Sequence, residues 1–171
     1  MFRVISFRSL TLGALAAAAL TVVAGAAAAQ GPEVNVSAGL TAKGAPLALR
    51  GYDPVSYFTD GGPQPGKAEV ATTYQGATYR FASRKNLRRF EGGPRRYAPQ
   101  YGGFCAYGVS VGAKFDGDPL VWKVVDGKLY LNLNSEIQKA WNADIEGAVK
   151  KADAHWTKIR SAAPEELAPQ G

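Results

Sequence analysis

The pattern of apolar and polar positions changes character five times along the chain. It opens on an undivided apolar block: from about Leu10 to Val23 nearly every position is Leu, Ala, Thr, Gly or Val, with Arg3 and Arg8 before it and Ala27 and Ala29 after it. A positive start, a short apolar stretch and small residues just ahead of Gln30 predict a signal peptide over 1–29, because the stretch falls short of the ~20 residues a bilayer span requires. Residues 30–46 are small and polar and predict an extended lead-in. Period-2 alternation follows in "EVATTYQGATYRFAS", where Val70, Thr72 and Tyr74 share one side and Tyr79 and Phe81 answer them beyond Gln75-Gly76. That is the pattern of a hairpin. Ser83 then predicts the cap of a helix "RKNLRRFE" with Leu87 and Phe90 on one face, stopped by Gly92, Gly93 and Pro94. A second hairpin reads from "LVWKVV", "DG" and "KLYLNLN", with Asp126-Gly127 at the turn. Its alternation assigns Leu129, Leu131 and Leu133 to a core and Tyr130, Asn132 and Asn134 to polar surroundings. After it the period becomes helical: one helix opens at Ser135-Glu136 and runs through Trp141, and a longer one opens at Asp144. In the longer helix Ile145, Ala148, Val149, Ala152, Trp156 and Ile159 fall on one stripe at ~100° per residue.

Strands and helices mixed without a βαβ rhythm predict an α+β fold, a small antiparallel sheet of hairpins packed with helices. The elements fit one domain over 47–160, and the Pro/Ala/Glu-rich "SAAPEELAPQG" predicts a disordered tail over 161–171. Asp53 followed by Pro54 predicts a short helical turn carrying Val55, Tyr57 and Phe58. The segment "PRRYAPQYGGFCAYG" is too rich in proline and glycine for one regular element and predicts a structured loop leading into a strand near Cys105.

Charge narrows the partners. The chain has 20 basic and 14 acidic residues; removing Arg3 and Arg8 with the signal leaves 18 against 14, a net charge of +4. The basic residues sit in short groups, "SRKNLRR" and "GPRR", which read as a solvated helix face and not as a nucleic-acid footprint. Enzyme signatures such as G-x-S-x-G, a Gly-rich phosphate loop, H-E-x-x-H and C-x-x-C do not occur. The sole histidine, His155, lies off the apolar stripe at the boundary of the last helix. Asp116 and Asp118 in "FDGDP" read as turn formers. A non-enzymatic protein is expected.

Cys105, the only cysteine, is the sharpest candidate for chemistry. In an exported chain it has no internal disulfide partner, which leaves a buried inert thiol, a metal ligand, a reactive thiol or an intermolecular bridge. Gly102, Gly103 and Gly108 let backbone approach a ligand closely, and Tyr57, Tyr101 and Tyr107 supply rings that exclude water. A thiolate prefers soft ions, copper or zinc, and His155 is the second ligand available. As a nucleophile Cys105 lacks an activating partner in sequence.

The segments "GYDPVSYF" and "YQGATYRFASRKNLRRFEGGPRRYAPQYGG" resemble the YHS domain family through Asp53, Pro54, Val55, Tyr74, Gly76, Tyr79, Phe81, Ser83, Phe90, Pro94 and Tyr97. The longer pattern through "YGGFCAYG", "DGKLYLN" and "DAHWTKI" is similar to exported bacterial YHS proteins. The resemblance implies a treble-clef-like α+β core extended by the C-terminal hairpin and helices and, in metal-associated members, cysteines that bind heavy metals. This sequence has Ser56, Ala82 and Asn86 where those cysteines lie, so that metal site does not carry over. The resulting expectation is a periplasmic or secreted binding protein that takes copper or zinc through Cys105 and His155, with Tyr57, Tyr101 and Tyr107 around the ligand. The alternative is a module that docks another envelope protein through Tyr130, Asn132 and Asn134. Neither nucleic acid nor a membrane span after signal cleavage is expected.

Overall fold

The Gln75-Gly76 turn sets the first layer. Both residues adopt left-handed conformations, φ 48° and 74°, which match the twist of the strands they join. In the computed structural model, which describes residues 32–59 and 61–167, β3 (Lys67–Tyr74) and β4 (Ala77–Phe81) form this antiparallel hairpin. The signal-peptide reading of 1–29 lies outside the described residues. The sheet is completed by β1 (Val36–Ser37) and β2 (Leu47–Ala48) in the order β1-β2-β4-β3. Where hairpins alone predict antiparallel pairing, β2 meets β4 in parallel through Leu47 and Thr78, because the two are joined by a crossover and not by a turn.

Helix α1 (Ser56–Thr59) precedes this hairpin, and α2 (Arg84–Glu91) and α3 (Pro94–Tyr97) follow it. Ser83 caps α2 by accepting the Asn86 amide, as its sequence position predicts. A second hairpin, β5 (Asp118–Val125) and β6 (Lys128–Asn132), turns at Asp126-Gly127. Beyond it lie α5 (Ser135–Ala143), capped by Asn134, and α6 (Ile145–Ile159), capped by Asp144. Helix α4 (Ala106–Ser110) packs against α6 from the other side. The architecture is α+β.

Strand β6 stands between two cores. Leu129 and Leu131 join Val55, Tyr79, Phe81 and Phe90 in one. Tyr130 joins Tyr101, Phe104, Val109, Trp141 and Ala152 in the other. The expectation that Tyr130 and Asn132 face polar surroundings is therefore overturned: they are 3% and 0% exposed, because α4, α5 and α6 cover that face. Asn134 stays exposed. Covering the face leaves Asn132 Nδ2 and Trp141 Nε1 buried without a partner among the described residues. Each such orphan costs ~1–3 kcal/mol, and full burial of each large apolar side chain contributes about as much. A core of this size outweighs two orphans.

The lead-in and the last helix are tied together. Val34 is buried, and the Asn35 amide donates to the Gly102 carbonyl. The ammonium of buried Lys114 donates to the carbonyls of Pro32, Arg160 and Ala162 at 2.6, 2.9 and 2.8 Å. It also lies 4.6 Å from the centre of the Phe104 ring. Within the span 161–171 read as a disordered tail, Pro164–Leu167 form a 3-10 turn, and residues 168–171 lie outside the described residues. Among the described residues no helix is long and apolar enough to cross a membrane.

Candidate functional site

The segment around Cys105 is shaped by three consecutive left-handed residues, Tyr101, Gly102 and Gly103, at φ 52°, 62° and 87°. A side chain at Gly102 would collide with the Glu33 carbonyl, since its Cβ would lie 1.9 Å from that oxygen. Only glycine lets the lead-in lie so close. The chain then bridges from Phe104 to Asp116 and turns into α4, which Cys105 caps. The predicted strand near Cys105 is thus reduced to single bridges, because the cap geometry ends extended pairing there.

Cys105 is 1% exposed. Its thiol donates to Asn132 Oδ1 at 3.6 Å and its sulfur accepts the Gly108 amide at 3.4 Å. The Tyr107 amide donates to the same Asn132 oxygen at 3.2 Å. Burial pushes the thiol pKa up, and the amides of Gly108, Leu133 and Tyr107 only partly oppose it. The group is a protonated, hydrogen-bonded cap at neutral pH, whereas a soft metal ion requires the thiolate. His155 is engaged elsewhere, with Nδ1 3.2 Å from the Val109 carbonyl. Among the described residues no three His, Cys, Asp or Glu side chains gather where they could hold a metal.

The three aromatics proposed around Cys105 separate as well. Tyr57 belongs to the first core, donating to the Pro119 carbonyl at 3.0 Å and meeting Trp122 edge-on at 5.3 Å. Tyr101 belongs to the second core, packed on Tyr130 and Trp156. Tyr107 is half-buried beside it and lines a separate cavity of about 210 Å³ with Ser110 and Lys151. One shared ligand site does not form from them.

The three positions that the resemblance marks for cysteines, Ser56, Ala82 and Asn86, hold a different construction. Buried Asp53 accepts the Val55 amide on Oδ1 at 2.8 Å, and on Oδ2 the Ala82 amide at 2.9 Å and Asn86 Nδ2 at 2.7 Å. Ser56 donates to the Asp53 carbonyl and accepts the Gln64 amide. Ser56, Ala82 and Asn86 therefore do converge on Asp53, Ala82 and Asn86 on its carboxylate and Ser56 on its backbone carbonyl. This donor set does not fit a heavy metal.

The opening best suited to a ligand lies elsewhere, between the β5–β6 turn and the first half of α6. It is a groove of about 630 Å³ with Val125, Tyr130, Ile145 and Val149 as its apolar lining and Asp126, Lys128, Glu146, Lys150 and Asp153 around them. The Tyr130 hydroxyl makes no hydrogen bond among the described residues although the side chain is 97% buried, 3% remaining exposed. Asp153 is held by the Tyr101 hydroxyl, which donates to Oδ1 at 2.9 Å. Burial first, and then the nearby Asp153 and Asp126, push the Tyr130 pKa up. Nothing in the sequence pattern marks this groove, because its two walls are separated by α5 and alternation places Tyr130 in solvent.

Comparison with known proteins bears on the first core. The family model of the YHS domain matches residues 55–101, a span that runs from the residue after Pro54 to the left-handed turn before Cys105. The comparisons with curated proteins and with solved structures return no match. Cys105, the β5–β6 hairpin, α5 and α6 lie beyond the matched span. Residues 55–101 of this chain are thus similar to the YHS domain family.

Proposed function

We propose that the protein is an exported, non-enzymatic binding protein whose ligand occupies the groove between the β5–β6 turn and α6. The observation that carries this reading is the Tyr130 hydroxyl, a polar atom on an almost wholly buried side chain that lines an apolar groove and has no partner there. That hydroxyl opens on the groove and is free to bond a ligand, and pockets of ~300–1,000 Å³ that join apolar surface to placed polar groups suit small molecules. The residues with catalytic chemistry support the non-enzymatic part, since the thiol is buried and protonated, His155 lies against a backbone carbonyl, and Asp53 is held by donors. The charge and small-residue pattern of residues 1–29 supports export to the periplasm or beyond.

Copper or zinc bound by Cys105 and His155 has no support in this geometry. The envelope-protein alternative also loses its surface, because two of its three residues, Tyr130 and Asn132, lie beneath helices. The groove is tested by screening a small-molecule library against the 15N-labelled protein. Hits are expected to move the amides of Val125, Tyr130, Ile145 and Val149, and hits confined to other regions contradict the reading. N-terminal sequencing of the secreted protein is expected to begin at Gln30.

A further inference from the structure

Resting on the groove reading, we infer that the groove takes an organic cation, an ammonium group carried on an apolar body, with Asp153 as its counter-charge and the Tyr130 hydroxyl as a second hydrogen-bond partner. The inference follows from which charges are fixed and which are free to leave. Asp153 is oriented by the donated hydrogen bond from Tyr101, whose ring is locked between Tyr130 and Trp156 at centroid separations of 5.9 Å each. A carboxylate held by one donor in this way keeps its remaining lone pairs available.

All five charged residues around the groove are exposed, Asp153 included, and Asp153 differs from the rest in being held by the Tyr101 hydroxyl. Lys128 and Lys150 stand on long stems that carry their ammonium groups out to water, and Asp126 and Glu146 are exposed beside them. None of the five charged side chains forms an ion pair among the described residues. Three carboxylates against two ammonium groups give the groove a net negative lining, on a chain whose formal charge is +6. The apolar surface of Val125, Ile145 and Val149 lies alongside Asp153 and Tyr130 and suits the body of such a ligand. A cation therefore meets an oriented carboxylate beside the apolar lining, and an anion of the same size meets repulsion there. The Tyr130 oxygen accepts an ammonium N–H, which satisfies the atom the protein itself leaves unpaired.

Three probes with one apolar body separate these terms: hexylammonium, hexanol and hexanoate, titrated into the 15N-labelled protein. Hexylammonium is expected to shift the amides of Val125, Tyr130 and Val149 saturably, with at least tenfold tighter binding than hexanol and tighter still than hexanoate. Asp153→Asn keeps an acceptor for Tyr101 and is expected to bring hexylammonium to the hexanol level. Tyr130→Phe is expected to weaken hexylammonium severalfold while leaving the fold intact. Hexanol or hexanoate binding as tightly as hexylammonium, or an Asp153→Asn protein with unchanged hexylammonium affinity, overturns the cation class and leaves the groove as a binding site. Groove amides unmoved by all three probes overturn the cation class and the groove reading together.

Discussion

Cys105 acts on the fold through its proton. The thiol is a donor to Asn132 and its sulfur an acceptor for the Gly108 amide, so the neutral form fits and the thiolate would face the Asn132 oxygen without a donor between them. Burial also raises the pKa of Tyr57 and Tyr79, and raises that of Tyr101 together with its hydrogen bond to Asp153. All four groups keep their protons in the folded chain at pH values where the unfolded chain has released them. The stability they contribute is complete below the ordinary thiol and phenol ranges and is lost as pH rises above ~9. Lys114, whose pKa burial lowers, acts in the opposite sense as a single group. Urea midpoints are expected to fall steadily from pH 8 to 10.5, and Cys105→Ser, which keeps a capping oxygen but does not titrate there, is expected to fall less steeply. The native thiol is expected to be inert to a disulfide reagent and to react fully in denaturant. Rapid reaction in buffer would contradict its burial.

At the scale of elements, Asp53 joins three of them, since one carboxylate holds the start of α1, the end of β4 and the first turn of α2. Asp53→Ala would orphan the Val55 and Ala82 amides and remove an acceptor from Asn86. At ~1–3 kcal/mol for each buried donor left unpaired, the loss is expected to be about 3–5 kcal/mol in urea unfolding. A loss below about 1 kcal/mol would show that water replaces the carboxylate. This hub was half legible: the Asp-Pro step disclosed the cap on α1, but the bonds to Ala82 and Asn86 cross 29 and 33 residues and leave no periodic trace. The hairpins, α2 and α6 were legible because local alternation and capping residues specify them. The burial of both faces of β6 was not, because period-2 alternation reports residue polarity and not what later packs above it. Cys105 was singled out by composition, yet its role as a cap depends on Asn132 arriving from the second hairpin.

On the scale of the whole molecule, Lys114 connects the two ends of the described chain. Lys114→Met keeps the stem over Phe104 but strands three carbonyls, and is expected to cost about 2–4 kcal/mol from the lost charge-assisted bonds. Hydrogen exchange is expected to quicken first at residues 32–36 and 160–167, and uniform protection there would deny the clamp this role. The groove was invisible to sequence reading for the same reason that it exists, since its walls come from a turn and a helix that meet only after α5 has been packed. The clamp also sets a direction. Pro32 and Ala162 offer their oxygens to one nitrogen at 2.6 and 2.8 Å, so the backbone enters and leaves the domain at neighbouring points by the far end of α6. The groove uses the opposite half of that helix, Ile145 to Asp153. A carrier or surface joined to either end of the domain would hold it like a lamp on its stem, with the ligand opening turned away from the point of attachment.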